Sequence, residues 1–170
     1  MKVKRPKSNV DVSAARLREL VHYDQETGIF TRLIRTCGKT SVGKVCGAQN
    51  TRGYLQARID NRLYLVSRLA FLYMTGEWPR GVVDHINGNK LDNRWANLRD
   101  VTQSVNMQNQ RKATRANKTG YLGVSPSGDK FVATITTNKA KRSLGRFDDP
   151  RHASAAYLRA KRALHAGNTL

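Results

Sequence analysis

From Gln110 to Gly120 the chain reads QRKATRANKTG, with four basic residues, no acid and no large apolar side chain. A hydrophobic core cannot be threaded through such a stretch. The 170 residues therefore have to fold as two parts on either side of it. The boundaries that follow are an N-terminal part over 1–110, a basic connector over 111–118 and a C-terminal part over 119–170. Each part is short and mixes period-two with period-3.6 apolar patterns, so the expected class is α+β in both.

Charge narrows the choice of partner. Lys and Arg number 31 and Asp and Glu 12, a net charge of +19. A compact fold opposes this by self-repulsion, and nucleic acid is the commonest polyanion that would offset it. The excess is spread over the chain: residues 1–110 carry net +9 and the shorter 111–170 net +10. No apolar run approaches the ~18–20 residues that span a bilayer. The start, MKVKRPKSNVDV, has no apolar stretch and is not a secretory signal; Lys2, Lys4, Arg5 and Lys7 read as a mobile basic arm. Cys37 and Cys46 form no C-x-x-C pair, which excludes a cysteine zinc site and leaves a reduced, cytoplasmic chain as the expectation. No membrane and no protein partner is implied.

In the first part Ser13 can cap a helix in which Leu17, Leu20 and Val21 form one apolar stripe. Asp24–Gly28 is a turn. Ile29-Phe30-Thr31, Tyr54–Ile59 and Leu63-Tyr64-Leu65 are strand-like, with a turn at Asp60-Asn61-Arg62. Leu65, Leu69, Leu72 and Tyr73 recur at helical spacing until Gly76 and Pro79. In the second part strands are expected at Tyr121–Val124, Lys130–Thr136 and Arg142–Phe147, with turns at Ser127–Asp129 and Asn138–Ala140. Asp149-Pro150 supplies a cap and a first-turn proline to a helix whose apolar face is Ala153, Ala156, Tyr157, Ala160 and Leu164.

Residues 82–110 carry the chemistry. Val82-Val83 leads into Asp84-His85, a polar loop follows through Ile86-Asn87-Gly88-Asn89 and Asp92-Asn93-Arg94, then a strand at Asn97-Leu98-Arg99, and Thr102 can cap a helix holding Asn106. Phosphodiester hydrolysis needs a base for water and a positive centre for the departing oxygen. A neutral imidazole, His85, suits the first. Oxygen donors such as Asp84 and Asn106 suit a hard cation, Mg²⁺ or Mn²⁺, rather than Zn²⁺.

The run D-H-I-N-G-N-K-L-D-N-R with N-L-R and S-x-N-x-x-N resembles the HNH endonuclease motif in its ββα-metal form, as in phage and intron homing endonucleases. The resemblance implies a metal-dependent endonuclease cutting double-stranded DNA to 5′-phosphate and 3′-hydroxyl ends. It makes His85 the general base, Asp84 and Asn106 metal ligands, and Asn97 the residue that pins the loop and orients the base. Gly53-Tyr54 through Arg68-Leu69-Ala70 also resembles the leader that precedes this motif in phage proteins, with Ser67 where a histidine is usual.

Tyr121-x-Gly123-Val124, Lys130-Phe131-x-Ala133-x-Ile135, Leu144-Gly145-x-Phe147 and Ala153-x-x-Ala156-Tyr157 together resemble the DNA-binding domain of plant ethylene-response factors, the APETALA type. That resemblance implies three strands packed on one helix, with the sheet in the major groove. Alternation puts Ala133 and Ile135 toward the helix. Val132, Thr134, Thr136, Ser125, Ser127, Lys141 and Ser143 then face outward, in place of the plant family's Arg- and Trp-rich face. Phosphate contacts are expected from Arg111, Lys112, Arg115 and Lys118 in the connector and from Lys130, Lys139, Lys141, Arg142 and Arg146 in the sheet. The competing classes are a non-catalytic DNA-binding regulator and an RNA- or ribosome-associated protein.

Overall fold

A computed structural model describes residues 11–35, 41–137, 139–165 and 167–169. The N-terminal basic arm, Cys37 and the turn residue Asn138 fall outside them. The chain divides into two compact units, Met1–Val101 and Thr102–Leu170. Both are mixed α and β, as the patterning requires. Among the described residues no helix is long and apolar enough to cross a membrane.

The first unit begins with α1 (Ala14–Leu20), where the Ser13 hydroxyl accepts the Arg16 N–H and so satisfies an otherwise orphaned helix donor. Leu17 and Leu20 are completely buried, whereas Val21, expected to extend the stripe, already opens a strand. Strands β1 (Val21–Asp24), β2 (Ile29–Arg32) and β3 (Val45–Cys46) form one antiparallel sheet. Strands β4 (Ala48–Gln49), β5 (Leu55–Ile59) and β6 (Arg62–Leu65) form another. The β5–β6 turn is Asp60-Asn61, both at positive φ (42° and 70°), the geometry that matches strand twist in a two-residue hairpin. Arg16 grips the Asp60 carboxylate with two bonds (2.9 and 3.2 Å) and ties α1 to that turn.

Helix α2 (Val66–Thr75) buries Val66, Leu69, Ala70 and Leu72, and ends where Gly76 takes φ +84° and returns its N–H to Leu72. Each of its large apolar side chains contributes about 1.5–3 kcal/mol on leaving water. Beyond it, β7 (Val82–His85) and β8 (Leu98–Val101) pair antiparallel, with Asp84 opposite Arg99 and His85 opposite Leu98. Asn97, expected to start the strand, instead ends a 3₁₀ turn, Trp95–Asn97. Its side chain is committed to the loop, as described below.

The second unit starts with α3 (Gln103–Gln108), capped by the Thr102 hydroxyl on the Val105 N–H. Strands β9 (Val124–Ser127), β10 (Lys130–Thr137) and β11 (Ala140–Phe147) form a sheet in the order β11-β10-β9, and α4 (Pro150–Leu164) packs on one face. Tyr121–Gly123 is a turn, not the expected strand. Gly123 sits at φ +73°, and the Asn117 amide donates to the carbonyls of Tyr121 and Val124, which bends the chain into β9. Ala133 and Ile135 are buried toward the helix as alternation predicts.

The helix face differs from expectation at its end. Leu164 is exposed, and Lys161, one turn past Tyr157, is buried with its ammonium donating to the Gln110 carbonyl. That bond compensates an otherwise costly burial. Burial, with nearby Arg111, pushes the Lys161 ammonium below its ordinary range. Arg111 in turn donates to Thr169. The basic stretch is thus held within this unit by polar bonds, which a search for apolar residues does not detect. His165 is bonded to the Thr136 carbonyl at 3.0 Å.

A Cβ added at Gly123 would lie 2.1 Å from a Tyr157 ring carbon, in a backbone conformation that side chains resist. Gly123→Ala is therefore expected to destabilise the second unit by more than ~1 kcal/mol. Amide hydrogen exchange along β10 would check it; unchanged protection there would refute it.

Candidate active site

The strand β7 ends in two buried polar residues, Asp84 and His85. Their placement is set at both ends of the ladder. The Asp100 carboxylate accepts the N–H groups of Arg80 and Gly81, each at 2.8 Å, and so fixes the entry to β7. After His85 the chain reverses, with the Gly88 N–H bonded to the His85 carbonyl at 2.8 Å and Gly88 at φ +72°.

The loop between β7 and β8 is organised by its own side chains. Asn87, Asn89 and Asp92 each accept the N–H two residues ahead, at 2.8, 3.1 and 3.3 Å. Asx residues favour such turns because their short side chains mimic a backbone turn. Asp92 also takes both arms of the Arg94 guanidinium and the Asn87 amide. Chiefly through Arg94, its carboxyl is held down at about 2. Asn97 closes the loop: its side-chain N–H donates to the Asp92 carbonyl at 2.7 Å, and its side-chain oxygen accepts the Asn87 N–H at 2.9 Å.

Asp84 lies opposite Arg99, whose guanidinium approaches one carboxylate oxygen, Oδ2, with two of its nitrogens, at 2.9 and 2.8 Å. A carboxylate so held is an oxygen donor suited to a hard cation. Among the described residues no three His, Cys, Asp or Glu side chains converge.

The His85 ring meets the Asn93 side chain, with Nε2 3.2 Å from Oδ1. Burial pushes the imidazole below its ordinary value, against the opposing influence of the Asn93 bond and the Asp84 and Asp92 charges. Neutral imidazole is the form a general base requires. Tyr54 flanks the ring at 6.0 Å, with the Lys90 ammonium 4.4 Å above the tyrosine.

Of the residues that the sequence points to, Asp84, His85 and Asn97 lie together on this β7–loop–β8 frame. Asn106 is half-buried on α3 in the second unit. All nine basic residues expected to touch phosphate are also in the second unit. Arg111, Lys112, Arg115, Lys118, Lys139, Lys141, Arg142 and Arg146 are exposed; Lys130 is half-buried and pairs with Asp148 at 3.0 Å. Strand register places Lys141 opposite Thr136 and Arg146 opposite Val132, on the outward face, but Arg142 opposite Ile135, on the helix side. Sequence reasoning misses Arg99, Asn93 and Tyr54. Arg99 and Asn93 stand inside the motif as letters without a role, and Tyr54 is far from it in sequence.

Residues 64–108 match the HNH endonuclease family. The chain is also 33% identical over 89 residues to the "SPbeta prophage-derived putative HNH homing endonuclease YosQ" of Bacillus subtilis (strain 168). That match covers 52% of this chain, which spans about half (48%) of the relative's length. No solved structure matches. The matched segment runs from β6 through α3, and the Asp84–His85 pair lies inside it.

Proposed function

We propose that the protein is a metal-dependent HNH endonuclease of the homing type that hydrolyses phosphodiester bonds in double-stranded DNA. The observation that carries this is the buried Asp84–His85 pair at the end of β7, inside the segment that matches the HNH endonuclease family. His85 takes the proton of the attacking water. Asn97 pins the loop that follows that imidazole. Asp84, and by its place in the HNH motif Asn106, would hold Mg²⁺ or Mn²⁺ through oxygen, and the ion would supply charge stabilisation at the scissile phosphate. Arg99 orients Asp84. The catalytic module occupies 1–110. The basic stretch 111–118 leads into 119–170, a recognition module of the APETALA type that contacts phosphate through Lys130, Lys139, Lys141 and Arg146 and, from the helix side of the same strand, more weakly through Arg142.

Plasmid cleavage with and without Mg²⁺ tests the reading. Asp84→Ala and Asn106→Ala are each expected to raise the Mg²⁺ concentration for half-maximal rate roughly tenfold or more, because each removes a proposed oxygen ligand. Unchanged metal dependence in both would place the ion elsewhere. Binding of DNA without cleavage at any Mg²⁺ concentration would identify a non-catalytic regulator.

A further inference from the structure

We propose that Asn93 is the positioning residue for His85, fixing the imidazole as its Nε2–H tautomer, and that the β1–β2 hairpin holds Asn93 in place. The proposal deepens the nuclease reading and rests on it for its consequence in rate. Asn93 is 2% exposed. Its Nδ2 donates to the Leu91 carbonyl at 3.2 Å, so its Oδ1 is the atom that faces the ring, 3.2 Å from Nε2. An amide oxygen only accepts. Nε2 must therefore carry the proton, and in the neutral ring the basic lone pair falls on Nδ1.

The backbone of Asn93 is held from 70 residues away. The buried Tyr23 hydroxyl donates to the Asn93 carbonyl at 2.7 Å, and Tyr23 is itself stacked on Phe30 with centroids 4.7 Å apart. The Trp95 N–H donates to the Gln25 carbonyl at 3.0 Å. At the hairpin turn, Gly28 (φ +73°) passes so close that a Cβ there would lie 2.4 Å from the Asn93 carbonyl carbon and the Arg94 nitrogen. Two hydrogen bonds and one close glycine approach thus clamp the loop at Asn93–Trp95. The loop's own Asx turns shape it locally, but the hairpin registers it against the core. A side chain at residue 28 would push away the residue that holds the base.

The experiment is ¹⁵N NMR of the imidazole in the full-length, metal-free, DNA-free protein, with His85 assigned by loss of its signals in His85→Gln. The expected result is a single Nε2–H form with a slowly exchanging ring proton. Asn93→Leu should abolish that slow exchange. Asn93→Asp, which keeps an acceptor, should retain it. Tyr23→Phe, which removes one hydroxyl from a packed ring, should speed the exchange while keeping the fold, and decides the matter if Asn93→Leu does not fold. In cleavage, Asn93→Leu should lower kcat about 10²-fold with KM for DNA unchanged, the scale of a misplaced catalytic group; Asn93→Asp should restore most of it. A wild-type ring in the Nδ1–H form, or identical ring signals in wild type, Asn93→Leu and Tyr23→Phe, overturns the proposal whatever the cleavage rates. Native cleavage by His85→Gln overturns the nuclease role of His85 instead, and leaves the ring signals to report on Asn93 alone.

Discussion

His85→Ala is expected to lower the rate of DNA cleavage by ~10²–10⁴, the usual cost of removing a general base, with DNA affinity nearly intact. The separation follows from where charge and chemistry sit. His85 is 4% exposed at the end of β7, and burial favours its neutral imidazole; a buried neutral ring adds little to the attraction of a polyanion. The folded frame should survive the change, because Asp100 fixes the entry to β7 and Asn97 the exit of the loop. Single-turnover cleavage at saturating Mg²⁺, with affinity measured in Ca²⁺, resolves the two quantities. Native-rate cleavage by the variant would remove His85 from the chemistry. An equal fall in affinity and rate would mean that the substitution disrupts the loop rather than the base.

Much of this site stands in the sequence because local rules write it. Ser13, Thr102 and Asp149 cap the helices they precede, and Gly76 ends α2 in the left-handed region. Asp84, His85 and Asn97 lie within 14 consecutive residues, so the spacing of one strand, one loop and the next strand brings them together. What is not legible depends on distant segments meeting. Tyr23 has an ordinary strand pattern around it, and nothing local marks its hydroxyl for the Asn93 carbonyl. Lys161 stands four residues after Tyr157, at the border of the apolar face, and its charge alone marks it for solvent. Its burial reflects the Gln110 carbonyl just beyond α3, which only the folded unit presents. Gly123 reads as part of a strand because its neighbours are β-formers, although its positive φ and the Tyr157 ring against it demand a turn. Polar ties are the hard class to foresee: they leave no periodicity.

Neutralising the outward face of the second unit's sheet should weaken DNA binding on the order of 10²-fold near 0.1 M salt and flatten its salt dependence. Lys130, Lys141 and Arg146 share that face with Ser125, Ser127, Thr134 and Ser143 by strand register. The unit contains the stretch of the chain that is denser in positive charge, net +10 over 111–170. Removing one phosphate-neutralising side chain should reduce the slope of log K against log salt by about 0.9, so the triple change to Gln should reduce it by about 2.7. None of the three supports the fold through a buried bond. Lys130 pairs with an exposed Asp148, an ion pair worth little, and Lys141 and Arg146 are exposed. Arg142 provides the internal comparison. It lies opposite Ile135 on the helix side of the same strand, so Arg142→Gln should change the slope less than either Lys141→Gln or Arg146→Gln alone. Arg111 is left out of the set because it donates to Thr169 and its loss would loosen the unit itself. Titrations of a short duplex at several salt concentrations measure the slope directly. A triple variant with the wild-type slope would show that the sheet does not lie against DNA and would move the phosphate-binding surface to the basic stretch, where Lys112, Arg115 and Lys118 are the exposed charges to change next.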